Sequence, residues 1–265
     1  MWSWRLKEKI MTQLPDAFDL YRRILFTDAN GEVCWWYCGT VFSEIKGLGN
    51  VPISQAETIM LYRTEMVSAD CFKVHWKEVG YFRDIATGEI LQSWFNPFSG
   101  KTVKRASGLE DGPAYYTVSR ADTGHNNFSI TLTQAHANVH SVKLETTIAD
   151  GRVCFVQSED KTRTYQRPDG SWPDLDSADA STILTVLSIY GSIDDARANP
   201  TFCPGAGFYS SGPVGKGTGA WSGTVVRGVM KKAAIDEQLN TLAWQRLNNM
   251  YPDFFNNGKV EPDWD

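Results

Sequence analysis

Within Phe72–Asp84 the carboxyl of Glu78 lies in a row of apolar and aromatic side chains, and this row is the best candidate for chemistry in the sequence. Because side chains alternate across a β-strand, the even positions form one apolar face that includes Trp76, Glu78 and Phe82. Burial in such a row raises the pKa of a carboxyl, which makes Glu78 a candidate general acid or base. The alternative is that Glu78 is paired with an arginine such as Arg63.

Candidate partners for this carboxyl lie on the two flanking strands. Met60 and Tyr62 share one face of the preceding strand, and Gln92, Trp94 and Asn96 share one face of the next. Apolar side chains mixed with hydrogen-bonding tips are typical of a small-molecule pocket. Parity alone does not say which face lines an interior, so the alternative remains that these groups satisfy one another or face solvent.

The histidines complete the set of candidate proton-transfer groups. His140 shares a face with Val142 and Leu144, and we predict that it is a proton shuttle. His136 and His140 are four residues apart, which along a strand is about 13 Å and too far for one metal ion. The sequence also lacks a dinucleotide fingerprint and a phosphate-binding loop. We therefore expect a reaction without metal, nucleotide or flavin, in other words without a cofactor.

The predicted site has two groups of residues. The catalytic residues are Glu78, Tyr62 and His140. The substrate-binding residues are Trp36, Met60, Trp76, Phe82, Gln92, Trp94 and Asn96.

A series of strands punctuated by turn residues must position these side chains. From residue 18 to about residue 166 the sequence contains about eight β-branched and aromatic runs at regular spacing. Phe18–Thr27 and Val33–Phe42 flank Asn30-Gly31, which predicts a hairpin. This pattern predicts a mainly β fold, an antiparallel β-barrel of lipocalin-like shape.

Residues 167–265 differ in composition, and we expect them to be covering loops. Ser181–Tyr190 is compatible with a strand or a buried helix, and the Gly-, Pro- and Ser-rich segment Asn199–Gly223 predicts little regular structure. The apolar spacing of Ile235–Met250 predicts an amphipathic C-terminal helix. We treat residues 1–265 as a single domain with a barrel core at 18–166.

Composition and charge exclude several classes of partner. With 26 basic and 31 acidic residues the formal net charge is −5, and no basic cluster indicates nucleic-acid binding. No apolar stretch approaches the ~20 residues that a membrane-spanning helix needs. The N-terminus lacks the features of a secretory signal, so we expect a cytoplasmic protein. The 33 large aromatic rings (10 Trp, 10 Tyr and 13 Phe) suit either a core or a pocket for flat apolar ligands.

Several motifs resemble an uncharacterised family of bacteria and fungi known only as domain of unknown function 1838. They are Trp76–Val79, Asp84–Leu91 and Trp94–Pro97, together with Trp35–Gly39 and Tyr251–Phe254 near the two ends of the chain. The resemblance implies a fold that covers nearly the whole chain as one unit. It implies no particular reaction.

Three functions remain open at this point. The first is a cofactor-independent lyase, isomerase or cyclase acting on a hydrophobic, aromatic or polycyclic small molecule in a barrel lumen. The second is a lipocalin-like carrier of such molecules, which has no need of a buried ionisable group. The third is a scaffold whose aromatic surface forms a homodimer.

Overall fold

The computed structural model describes residues 16–26, 30–104, 114–120, 128–165, 169–193, 206–214, 221–233 and 241–252. Most of these residues form strands, so the prediction of a mainly β protein is confirmed. The strands are β1 (Gly31–Ile45), β2 (Gly49–Ser68), β3 (Cys71–Arg83), β4 (Ile90–Leu91), β5 (Ser93–Asn96), β6 (Lys101–Lys104), β7 (Ala114–Arg120), β8 (Phe128–Gln134), β9 (Ala137–Ala149), β10 (Arg152–Arg163), β11 (Ser181–Ser192), β12 (Ala206–Val214) and β13 (Thr224–Ala233).

One strongly curled antiparallel sheet contains most of the strands. Its order is β8-β7-β3-β2-β1-β13-β12-β11-β10-β9, with β4 added to β3, while β5 and β6 form a separate hairpin. Register shifts at Val41/Phe42, Met66/Ser68 and Asp160/Lys161 mark bulges, which bend strands and increase their twist. The curled sheet forms a half-barrel whose two edge strands, β8 and β9, are consecutive in the chain. The two edges therefore meet at the turn between these strands. The described strand pairings include no ladder that joins β8 to β9.

The first described element corrects the sequence prediction. Residues Ala17–Leu25 form helix α1, not a strand, so no hairpin joins them to β1. The side chain of Asp16 accepts a hydrogen bond from the backbone N–H of Phe18 and caps the helix. The two residues of α1 that are not buried, Asp19 and Arg23, are four apart and so share one side of the helix, and this spacing was the sequence signal for the helix.

The C-terminal part contributes strands as well as loops, which is a second correction. The ambiguous segment Ser181–Ser192 is strand β11, and the Gly- and Ser-rich segment expected to be irregular contains strand β12, Ala206–Val214. With β13 these strands join β10 to β1 and so complete the sheet. Pairing on both sides explains why β12 is a strand in spite of its weak local propensity.

Both faces of the sheet are covered in part. The inner, concave face holds the main core and packs against α1, with Phe18 and Tyr21 in contact with Phe128. A second helix, α2 (Leu242–Met250), buries Trp244 and Leu247 on the outer face, against an apolar cluster of β1, β2 and β3. Helix α2 covers the predicted helix 235–250 from residue 242 onward, and residues 235–240 of that prediction lie outside the described residues. No helix among the described residues is both long and apolar enough to cross a membrane.

Candidate functional site

Side-chain burial divides the concave face into two halves. On β3, Phe72 is 0% exposed beside α1, Trp76 is 8% exposed, and Glu78 is only partly buried. Strand β10 shows the same gradient, from Val153 at 1% to Lys161 at 7%. We call the half packed around α1 the sealed half. The open half contains Met60, Tyr62, Trp76, Glu78, Phe82, Trp94, Lys161, Arg163, Tyr165 and Trp221.

Among the described residues, the sealed half is packed with buried apolar side chains. A cavity of about 10 Å³, with lining residues that include Tyr21, Trp35 and Tyr62, lies between α1 and the sheet and has room for about one water molecule. Aromatic side chains of α1 and of Phe26, which follows it, pack there, with edge contacts from Tyr21 to Phe155 and from Phe26 to Tyr62, a residue at the border of the two halves. The interior is therefore not a wide lumen on this side, because a helix occupies the space that the sequence analysis assigned to a ligand.

Glu78 lies on the concave face, as its parity predicted. It pairs in register with Met60 and follows Trp76 along the same face. Burial raises the pKa of the Glu78 carboxyl, and the positive charges of Arg163 and Lys161 oppose this shift in part. Within the described ranges Glu78 makes no ion pair. Its site therefore favours a carboxyl that stays protonated to a higher pH than an exposed glutamate.

The proposed pairing of Glu78 with Arg63 is wrong. Arg63 has odd parity on β2 and is opposite His75 in the register, whereas Glu78 has even parity on β3. Adjacent positions of a strand face opposite sides of the sheet, so Arg63 and Glu78 are separated by the sheet itself.

Two residues that the sequence analysis missed lie next to this carboxyl. Tyr165 follows β10, and its pKa is raised by burial, lowered by Arg163 and raised by Glu78. The guanidinium carbon of Arg163 is 5.1 Å from the centre of the Tyr165 ring, a cation–π contact. The sequence contains a signal for Arg163 in the odd positions of β10. These positions begin with the apolar Val153 and continue on the same face with polar residues as far as Arg163, which indicates that Arg163 shares the inner face.

A buried hydrogen-bond network lies between the two halves. Glu159 accepts hydrogen bonds at Oε1 from the Tyr116 hydroxyl (2.9 Å) and from Gln157 Nε2 (2.8 Å), and at Oε2 from Lys161 Nζ (3.2 Å). The Tyr21 hydroxyl donates to Gln157 Oε1 at 2.5 Å. Burial, followed by the negative charge of Glu159, raises the pKa values of both tyrosines. Glu159 is thus a satisfied ion-pair partner, and Glu78 is the carboxyl left for other roles.

Aromatic rings form two walls of the open half. Trp76 stacks on Tyr116, with ring centroids 6.4 Å apart and planes inclined by 23°. On the other side, Trp221 contacts Phe82 at 5.7 Å, Trp94 at 5.5 Å and Tyr165 at 5.6 Å between centroids. Rings of this kind stack on flat apolar ligands and remove them from water.

Three of the predicted site residues lie away from the open half. Trp36 packs on the outer face against the α2 cluster, because the odd positions of β1 are the ones that face inward. Gln92 is exposed between β4 and β5. His140 is exposed on edge strand β9, with Nε2 2.8 Å from the Thr162 hydroxyl oxygen. The structure therefore does not place His140 near Glu78.

Asn96 is buried, and its side chain forms hydrogen bonds that stabilise the fold. Its Nδ2 donates to the backbone carbonyl of Ser222 (2.8 Å), and its Oδ1 accepts from the Ser43 hydroxyl (3.2 Å) and the Phe98 N–H (3.0 Å). These bonds fasten the β5–β6 hairpin to the main sheet. Of the ten predicted site residues, the structure brings together Met60, Tyr62, Trp76, Glu78, Phe82 and Trp94 on the open half.

Comparisons with known proteins add no assignment. No family model matches this chain, and no curated protein is significantly similar to it. The resemblance to the family of domain of unknown function 1838 stays a prediction. Among the described residues, no group of three or more His, Cys, Asp or Glu side chains is arranged to hold a metal ion.

Proposed function

We propose that this protein is a cofactor-independent enzyme, a lyase, isomerase or cyclase, that acts on a hydrophobic aromatic small molecule at the open half of the concave face. The observation that carries the proposal is the position of Glu78, a carboxyl with no ion pair to any described residue, in an aromatic surface that water still reaches. Perturbed carboxyls in concave aromatic sites are typical of general acids and bases.

Glu78 transfers the proton in this proposal. Burial favours its neutral form and raises its pKa, while the positive charges of Arg163 and Lys161 favour its carboxylate and oppose this rise. The charge of Glu78 raises the pKa of Tyr165, so the Tyr165 hydroxyl is electrostatically coupled to this carboxyl. Tyr165 therefore replaces His140 as the candidate partner of Glu78 in proton transfer. General acid–base catalysis contributes about 100- to 10,000-fold to a rate.

The aromatic walls hold the substrate and exclude water. Trp76 and Phe82 flank Glu78 along β3, and Tyr62 stands beside Trp76 in the register. The Tyr62 hydroxyl donates a hydrogen bond to the sulfur of Met60 (3.5 Å), and both side chains lie on this face. We also propose that the sheet closes between β8 and β9 into a lipocalin-like barrel. The cytoplasmic location of the protein and its association as a homodimer remain predictions.

The second candidate is a carrier without catalysis. The favouring observation is that the charged groups between the two halves satisfy one another, since Glu159 has three donors and Lys161 has two acceptors. In a carrier, such a network serves stability alone and Glu78 has no partner in a reaction.

The variant Glu78→Gln separates these candidates. A panel of aromatic and polycyclic compounds is titrated into the wild type and the variant while tryptophan fluorescence is followed, and each mixture is then analysed by mass spectrometry. We expect turnover that falls at least 100-fold in Glu78→Gln with binding preserved. Glu145→Gln, an exposed change on β9, is the matched control.

Other results would redirect the assignment. Saturable binding without any product in the wild type would favour the carrier. Quenching by none of the compounds would contradict a ligand site on the concave face. Turnover that is unchanged in Glu78→Gln would remove Glu78 from the mechanism.

A further inference from the structure

Three buried N–H groups on the concave side of the structure have no acceptor. Trp76 Nε1, Trp94 Nε1 and Gln134 Nε2 make no hydrogen bond in the described part of the chain, and the three residues are 8%, 7% and 5% exposed. Indole N–H is a donor only, and an amide NH₂ has two donor hydrogens. A buried donor left unpaired costs about 1–3 kcal/mol, so such groups normally have partners.

The neighbouring acceptors are already engaged. Gln134 Oε1 accepts from Lys161 Nζ at 2.9 Å, and both oxygens of Glu159 accept from the groups described above. Gln157 Oε1 accepts from the Tyr21 hydroxyl. Apart from Glu78, the carboxylate and amide oxygens of this interior network are therefore occupied, while three N–H groups are not.

The unpaired donors belong to the same surface as Glu78. Trp76 is two residues from Glu78 on the same face of β3, and Trp94 contacts Trp221 in the opposite wall. Gln134 connects to this half through Lys161, whose charge acts on Glu78. Indole and amide donors without a partner among the described residues thus belong to the same side of the sheet as this carboxyl.

From this excess of donors we propose that the ligand of the open half is a flat aromatic compound with a carbonyl oxygen, such as an aryl ketone or a quinone, and that Trp76 Nε1 and Gln134 Nε2 donate hydrogen bonds to its oxygens. The inference rests on the proposed function, because it names the ligand class of the same site. A carbonyl oxygen has two lone pairs and no hydrogen to donate, so it fits this donor excess better than a hydroxyl or an amine does.

The test compares 9-fluorenone with fluorene, which have the same ring system and differ in a carbonyl against a methylene. Dissociation constants are measured by tryptophan fluorescence for the wild type, Trp76→Phe and Trp244→Phe. The first variant keeps a ring but removes the donor, and the second makes the same change on α2, against the outer face. We expect fluorenone to bind the wild type about tenfold more tightly than fluorene, as one or two added hydrogen bonds predict. Trp76→Phe then reduces this ratio below threefold, and Trp244→Phe leaves it unchanged.

A second variant protects the test against misfolding of the first. Gln134→Glu keeps an oxygen acceptor for Lys161 and removes the NH₂ donor, and we expect it to lower the ratio as well. Equal affinity of the wild type for both compounds would overturn the carbonyl inference and leave the proposed site standing. The assignment of Trp76 and Gln134 as donors would be overturned if both variants kept the wild-type ratio of fluorenone affinity to fluorene affinity. Binding of neither compound would overturn the inference together with the proposed function.

Discussion

Replacement of Glu159 by glutamine tests whether the interior network holds the fold together. The substitution keeps the size of the side chain but removes the negative charge opposite Lys161, whose Nζ is 3.2 Å from Glu159 Oε2. The Lys161 ammonium then retains Gln134 Oε1 as its hydrogen-bond acceptor and has no carboxylate in contact. The perturbation is therefore an uncompensated charge in an apolar interior.

The expected cost follows from the burial of the pair. Glu159 is 4% and Lys161 7% exposed, so water screens their interaction little. Removing one partner of a buried ion pair costs about 3–5 kcal/mol, because the other charge is left unpaired. The glutamine oxygen still accepts a hydrogen bond from Tyr116, so we expect a loss near the lower limit, about 3 kcal/mol in the free energy of unfolding.

Urea denaturation of a double-mutant cycle measures this loss. Lys161→Met removes the lysine charge, so the double variant with Glu159→Gln has no unpaired charge and is expected to be more stable than Glu159→Gln alone. Glu145→Gln on the exposed side of β9 is expected to change the stability by less than about 0.5 kcal/mol. A loss below about 1 kcal/mol for Glu159→Gln, or strict additivity of the two substitutions, would show that the pair of Glu159 and Lys161 does not stabilise the fold.

Two further predictions concern pH and packing. Because burial raises the folded-state pKa of Glu78, the stability it contributes is present below the ordinary glutamate pKa of about 4.3 and is lost as the pH rises through its folded pKa. We expect Glu78→Gln to abolish this loss, and urea denaturation of both proteins from pH 4 to pH 8 measures the free energy of unfolding. A stability difference between wild type and variant that does not vary with pH would contradict the raised pKa of Glu78. At the contact of α1 with β11, a Cβ at Gly191 lies 2.5 Å from Ile24 Cδ1, so Gly191→Ala is expected to cost about 1–3 kcal/mol. The same substitution costs less in an Ile24→Val background, and equal costs in both backgrounds would exclude the contact as the cause.

Strand patterns were the part of the fold that local sequence predicted well. The alternation in Phe72–Asp84 placed Trp76, Glu78 and Phe82 on the buried inner face, where the structure has them. The prediction of a strand at Phe18–Thr27 was wrong because the aromatic and aliphatic residues of α1 also suit a strand, although Asp16 before them is a typical helix N-cap. Strand β12 was missed because pairing with its neighbours outweighs its weak propensity.

The candidate site shows the same division between local pattern and long-range contact. Trp36 and His140 have the residue types that a pocket needs, but only their register with neighbouring strands places them on the outer face and at the edge. Conversely, Tyr165 and Arg163 are more than eighty residues from Glu78 in sequence, and no local pattern connects them.

The β class, and which residues share a strand face, follow from local sequence, because they depend on the two-residue period of a strand. Which face is concave, that α1 fills one half of it, and which charges surround Glu78 become clear from the folded chain. Register, curl and helix docking are set by contacts between segments far apart in the chain. The energies of these contacts depend on the packing of the whole sheet, so a short window of sequence does not predict them.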